Sequence, residues 1–302
     1  VFHQLWEKGF IYEGHRVQPV SPALGTPLSN FEVAQGPQEK DPVTRKEGHK
    51  RRQDPSVTVR FKLEDEDVHL WAWTTTPWTL PSNLALAVHP DLDYVKFQVV
   101  ETGEVAIAEP GRLADYQEKG KVGETKELAR FKGSELEGRP YAPLRPYFEQ
   151  YRLKEDGSRW AFKVVCAEYV TTDSGTGIVH QAPAFGEDDY LVGQKEGLPL
   201  VMPLDLSGTF SQAVPDFAGQ KAKDADKGIM AMLKEQGKLV DQDVYVHPYP
   251  HCYRTEEPLL YMALSTWFMK VEEMRDKLVE YNEQIHWVPE HVGKGRFGNW
   301  LS

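Results

Sequence analysis

Strict alternation of apolar and polar side chains begins at Val57: Val57, Val59, Phe61 and Leu63 fall on one face, Thr58, Arg60 and Lys62 on the other. A period of two predicts a half-buried strand. Glu64–Asp67 is then a charged turn, and further strands are predicted over His69–Thr74, Tyr94–Val100, Glu104–Ala108, Trp160–Val170 and Gly177–His180. The period changes later in the chain. Ala222, Ala225, Ile229, Met232 and Leu233 recur at three-to-four spacing, which predicts a helix with Gly237 as its C-terminal stop, and another is expected from Val271 through Met274 and Leu278. Long helices do not regularly interrupt the strands, so a barrel or sandwich is favoured over a doubly wound sheet.

Two stretches break the pattern. Residues 1–36 combine aromatic and apolar groups (Phe2, Leu5, Trp6, Phe10, Ile11, Tyr12) with a turn-rich run holding Pro19, Pro22 and Pro27, and resemble the edge of a larger domain. From Gln38 to Asp54, six Lys/Arg and four Asp/Glu surround one clear hydrophobe, Val43, which predicts a solvated loop. The basic stretch from Lys40 to Arg52 is a candidate for RNA contact, although a solvated surface loop accounts for it as well.

The 302 residues, 40% hydrophobic and 27% charged, suffice for one large domain or two small ones. No apolar run is long enough to span a bilayer, and Phe2–Tyr12 lacks the features of a signal peptide, so a soluble segment cut from a longer chain is expected. A net charge of −11 argues against a strongly basic nucleic-acid groove. Cys166 and Cys252 are the only cysteines, which fits a reducing compartment and makes the cytoplasm the expected location.

Chemistry concentrates in two segments. In WTTTPWTLPSNLALAVHP, residues 73–90, three β-branched hydroxyls stand at a strand end beside prolines that forbid regular pairing, which would set Oγ atoms and free N–H groups around a cavity. A threonine-rich edge strand with a proline stop explains the same residues. In DSGTGIVHQAPAFGEDDY, residues 173–190, Gly175, Gly177 and Gly186 permit sharp turns, while His180, Glu187, Asp188 and Asp189 supply titratable groups. A strand ending in a solvated acidic loop is the alternative. In HPYPHCYR, His247, His251 and Cys252 lack the paired cysteine of a structural zinc site, which favours a loop of packed aromatic and histidine rings. Neither a phosphate loop nor a G-x-S-x-G elbow occurs.

Taken in order, WTTTPWTLPSN at 73–83 and GTGIVHQAPAFGEDD at 175–189 resemble the editing domain of isoleucyl-tRNA synthetases, the large insertion in a class one catalytic core. The flanks agree: residues 9–33 look like the catalytic segment leading into that insertion, and 267–274 with 285–301 like the segment leading out. The valyl and leucyl members carry Arg in the threonine motif, where this chain has Thr76. The resemblance implies a mixed α/β fold with a β-barrel-like core and surrounding helices. It assigns 1–36 and 266–302 to catalytic-domain flanks and 37–265 to the editing domain. The HIGH and KMSKS signatures of ATP-dependent aminoacylation do not occur in these residues, so the implied activity is hydrolysis of the ester of valine mischarged onto isoleucine tRNA.

By the same resemblance Asp189, closing a GxxD motif, anchors the α-ammonium group of the misattached amino acid, with Asp188 as the adjacent rival. Thr74, Thr75 and Thr76 contact the aminoacyl-adenosine end and place the attacking water, and Asn83 is a further pocket position. His180 and Trp78 are chosen for the wall that admits valine and excludes isoleucine, because a rigid ring converts one methyl group into a clash. No side chain is assigned as general base, and no metal or cofactor is implied. The implied partners are the 3′ end of mischarged tRNA with its valine moiety and the remainder of the synthetase, with no membrane. The competing reading is a catalytically inert insertion that docks RNA or keeps the fold.

Overall fold

The computed structural model describes residues 1–36 and 48–302. The chain divides into two compact units, Val17–Ala263 and the combination of Val1–Arg16 with Leu264–Ser302. Twelve strands are described: β1 (Ile11–Ser21), β2 (Thr26–Pro27), β3 (His49–Lys62), β4 (His69–Thr74), β5 (Ala85–Val88), β6 (Asp93–Val99), β7 (Val105–Ala108), β8 (Thr125–Lys132), β9 (Lys163–Cys166), β10 (Ile178–Gln181), β11 (Leu239–Pro250) and β12 (Leu260–Met269). The helices are α1 (Phe2–Glu7), α2 (Asn30–Ala34), α3 (Pro110–Glu118), α4 (Glu187–Glu196), α5 (Ala222–Glu235), α6 (Arg275–Gln284) and α7 (Gly298–Leu301).

In the larger unit nine strands form one mixed sheet, ordered β8-β6-β7-β4-β10-β5-β9, with β3 pairing both β4 and β11. It curls into a half-barrel with helices around it, a mixed α/β fold as expected. Val57, Val59, Phe61 and Leu63 are at most 1% exposed, as their alternation requires. One edge of β4 is shared. His69 and Leu70 pair in parallel with Ala106 and Ile107 of β7, whereas Trp73 faces Val179 of β10. This fork gives the end of β4 a new neighbour where the three threonines begin.

Two apolar clusters hold the sheet. Trp71, Phe97, Ala106 and Leu113 pack together beneath α3, and Ala85, Ala87, Val165 and Val192 beneath α4. All of β5 is buried, so it reads as a continuous apolar run without alternation. α5 buries Ala222, Ala225, Ile229 and Leu233, and Gly237 (φ +68°) follows its C-cap as expected.

Several expectations change. Residues 49–54 are strand, not solvated loop: β3 starts at His49 and pairs with β11 from Pro250 back to Leu239. The part of that stretch from 38 to 47 lies outside the described residues, and Gly48 is a turn. Lys50 and Arg52 are ion-paired to Glu256 and Asp54. His247–Pro250 likewise end β11 and are not a loop, although ring packing does run through Tyr245, His247, Tyr249 and His251. The strand expected over 160–170 is confined to Lys163–Cys166. The acidic run 187–189 is the first turn of α4, where negative charge suits the helix dipole.

In the smaller unit Trp6 meets Trp267 edge-on with centroids 5.3 Å apart, and Tyr12 stacks on Phe268 at 5.4 Å. The helix expected from Val271 begins as a 3-10 turn, Glu272–Met274, before α6.

Candidate functional site

After Thr74 the chain leaves the sheet, because Pro77 and Pro81 withhold the N–H groups that pairing needs, and it closes into a buried 3-10 turn, Pro77–Ser82. The loop before β10 returns alongside. Gly175 and Gly177 hold φ of +72° and +76°, which a side chain would strain, and a Cβ on Gly177 would stand 2.4 Å from the Glu109 Cβ. Between them Thr176 Oγ1 donates to the Trp71 carbonyl at 2.5 Å. The two motifs are thereby locked together at the fork of β4.

Their junction is a cleft of about 340 Å³ lined by Thr74, Thr75, Thr76, His180 and Asp189 among others. Five of the seven residues singled out from sequence meet here. The other two stand behind: neither Trp78 nor Asn83 reaches the lining. Trp78 is 2% exposed, with its ring edge-on to Phe185 at 5.1 Å and its backbone N–H donated to Asp226 Oδ1 at 2.8 Å. Asn83 supports His180 from the rear.

The hydrogen bonds around His180 fix its proton. Tyr141 donates to Asn83 Oδ1 at 2.7 Å, and Asn83 Nδ2 donates to the Ala85 carbonyl at 2.9 Å, so the amide orientation is determined. The same Nδ2 lies 3.3 Å from His180 Nδ1, which must accept. Nε2 then carries the hydrogen and donates to Thr79 Oγ1 at 2.8 Å, since that hydroxyl gives its own proton to the Thr76 carbonyl at 2.8 Å. Burial lowers the imidazole to about 4, so the ring is neutral near pH 7. Its lone pair is committed to Asn83. His180 lines the cleft as a neutral ring, with no free nitrogen to take a proton.

Asp189 belongs to the first turn of α4 and points back to the end of β10, where its Oδ2 accepts the Ala182 N–H at 3.0 Å. Tyr169 donates to Oδ1 at 3.4 Å and itself accepts from Gln181 Nε2. Burial nevertheless pushes the carboxyl up to about 7; the Ala182 N–H opposes the rise and the neighbouring Asp188 charge adds to it. Such a group is short of positive charge. It is suited to a cation brought by a ligand, which would restore its ionised form.

Thr79, Tyr169, Thr171 and Ser174 also line the cleft and were not singled out. Thr79 was signalled by its place three residues after Thr76, within the same motif. Tyr169 carried no local signal.

His247, His251 and Cys252 do not converge on a metal: His247 Nε2 meets Asp54 Oδ2 at 3.0 Å, His251 Nδ1 meets the Tyr249 carbonyl at 2.7 Å, and Cys252 packs with Leu28 and Leu259. Among the described residues no group of three or more His, Cys, Asp and Glu is placed to hold a metal ion. No helix among them is long and apolar enough to cross a membrane.

A family described as tRNA synthetases class I (I, L, M and V) matches residues 1–302. The isoleucine–tRNA ligase of Bdellovibrio bacteriovorus is 47% identical over 302 residues, covering 100% of this chain and 27% of its own length. The cytoplasmic isoleucine–tRNA ligase of Mus musculus is 47% identical over 308 residues, covering 100% and 23%. The chain thus spans about a quarter of the length of these curated relatives. Among solved structures, the P. knowlesi cytosolic leucyl-tRNA synthetase editing domain aligns with a TM-score of 0.45 at 12% identity, covering 66% of this chain and 98% of that one.

Proposed function

The chain belongs to the class I tRNA synthetases of the isoleucine, leucine, methionine and valine group, and on that premise we propose that it carries a proofreading site hydrolysing the ester of valine mischarged onto isoleucine tRNA. The observation that carries the reading is the convergence of Asp189, His180 and the three threonines on one cleft. At about 340 Å³ the cleft is at the small end of ligand pockets, which run from about 300 to 1,000 Å³, and suits an amino acid with part of a nucleoside.

In this reading Asp189 binds the α-ammonium group of the ester and orients it. The hydroxyls of Thr74–Thr76 hold the ribose end and the attacking water. Water adds to the ester carbonyl, the bond to the ribose oxygen breaks, valine leaves as the free acid and the ribose recovers its hydroxyl. The His180 lone pair is engaged with Asn83 and no side chain is assigned as general base; the family resemblance suggests that a ribose hydroxyl of the tRNA helps to activate the water. The neutral ring of His180 forms the wall that stops isoleucine. A second site is needed because one methylene is worth only about 1 to 3 kcal/mol in a hydrophobic pocket, a range for which isoleucine against valine is itself the reference instance and which is not a result of this structure.

Residues 37–265 are proposed as the editing domain, with 1–36 and 266–302 as parts of the catalytic domain. The partners are then the 3′ end of tRNA, its valine moiety and the rest of the synthetase, in the cytoplasm. The test is release of amino acid from isoleucine tRNA charged with valine or with isoleucine. Faster loss of valine is expected, and equal rates, or no loss in the intact synthetase either, would overturn the reading.

A further inference from the structure

Asp226, on the second turn of α5, is 5% exposed and lies far from the cleft in sequence. Its Oδ1 accepts the Trp78 N–H at 2.8 Å, across 148 positions. An ionisable group is costly to bury without full compensation. Burial indeed raises this carboxyl to about 7, against the pull of Lys223, whose ammonium is bonded to Asp54 at 3.2 Å.

What the carboxylate does there follows from the turn it holds. The first N–H groups of a helical turn have no partner within it. Pro77 has none to offer and Thr79 N–H reaches the Thr76 carbonyl at 2.9 Å, which leaves Trp78 N–H for Asp226. The Trp78 indole N–H finds no acceptor among the described residues, so the polar hold on this residue runs through its backbone. The same turn delivers the Thr79 hydroxyl that receives the His180 proton.

We propose that Asp226 is a positioning residue of the cleft, which fixes the Pro77–Ser82 turn and through Thr79 sets the stance of His180 and hence the discrimination between amino acids. The inference rests on the ester-hydrolysis reading. Asp226 touches no substrate and acts through Trp78 and Thr79.

The test compares Asp226→Ala with Asp226→Asn, whose amide oxygen still accepts the Trp78 N–H. In Asp226→Ala, kcat on the valine ester is expected to fall at least tenfold with KM within about twofold, the preference for valine over isoleucine to fall about tenfold, and amide exchange at Trp78 and Thr79 to accelerate. Asp226→Asn is expected to stay within about twofold of wild type on each readout. Should Asp226→Ala not fold, Asp226→Glu, which moves the acceptor by one methylene, takes its place with the same expectation. A purely structural role would lower Tm alone and leave kcat, preference and local exchange per folded molecule unchanged, which would overturn the proposal, as would equal losses in the alanine and asparagine variants. If wild type releases neither amino acid, the hydrolysis reading fails, and the exchange rates still decide whether Asp226 holds the turn.

Discussion

His180 Nε2 lies 2.8 Å from Thr79 Oγ1, and that hydroxyl passes its own proton to the Thr76 carbonyl, so the ring is locked in one neutral form between the two motifs. Replacing the ring by a methyl group removes the wall that the proposed site sets against isoleucine. His180→Ala should therefore release isoleucine from isoleucine tRNA at least tenfold faster than wild type. Continued sparing of the isoleucine ester would assign the wall to another residue.

The buried ring also predicts a pH dependence of stability. Its folded value of about 4 lies below the usual 6.5, so its contribution is fully present above pH 6.5 and is lost as pH falls from there toward 4. The loss amounts to about 3 kcal/mol over that window. Urea unfolding at pH 7 and pH 4 should show it in wild type and not in His180→Gln, after allowing for the constant offset of the mutation. The same pH dependence in both proteins would show that His180 is not its source.

Asp189 predicts the opposite sign. Its carboxyl is raised from 3.8 to about 7, so the contribution is present below pH 3.8 and is lost as pH rises through 7. Asp189→Asn should raise the thermal midpoint relative to wild type at pH 8 and change it little at pH 4. If the variant were destabilised equally at both, burial would not govern this group.

Tyr169 donates a proton to the same carboxylate, which favours its charged form. Tyr169→Phe should move the titration of Asp189 to higher pH. Ester-hydrolysis KM, expected to rise as wild type is taken from pH 8 to pH 6, should then begin its rise at higher pH, while kcat at pH 9 stays within about threefold. A profile that superimposes on wild type would detach Tyr169 from the site.

Gly177→Ala should be severe, because a side chain at φ +76° is strained by about 1–2 kcal/mol and its Cβ would stand 2.4 Å from that of Glu109. A loss of at least about 2 kcal/mol in urea unfolding is expected. A neutral effect would mean that the 175–177 turn is not fixed as described.

Much of the fold was legible where an apolar face meets the core, although Thr58, expected on the polar face of its strand, is 0% exposed. The alternation over 57–63 and the three-to-four spacing over 222–233 are face patterns, and both became the elements they predict. β11 was missed because Pro248, Pro250, Asp241 and Asp243 speak against a strand, yet among the described residues it pairs only with β3, and an edge tolerates prolines. α4 was missed because it buries only Val192 and Gly193, too few for a periodic stripe. At the cleft, Thr74–Thr76, His180 and Asp189 were marked by local motifs. Asp226 and Tyr169 were not, because their importance lies in contacts made across the fold.

The most direct test is the rate of valine release from mischarged isoleucine tRNA by wild type, Asp189→Ala and Asp188→Ala. A buried charge left without its partner costs about 3 to 5 kcal/mol, so Asp189→Ala should slow release by at least about a hundredfold, while Asp188→Ala, at an exposed position outside the cleft lining, should stay within about threefold. Equal losses in the two variants, or undiminished release by Asp189→Ala, would contradict Asp189 as the anchor of the site.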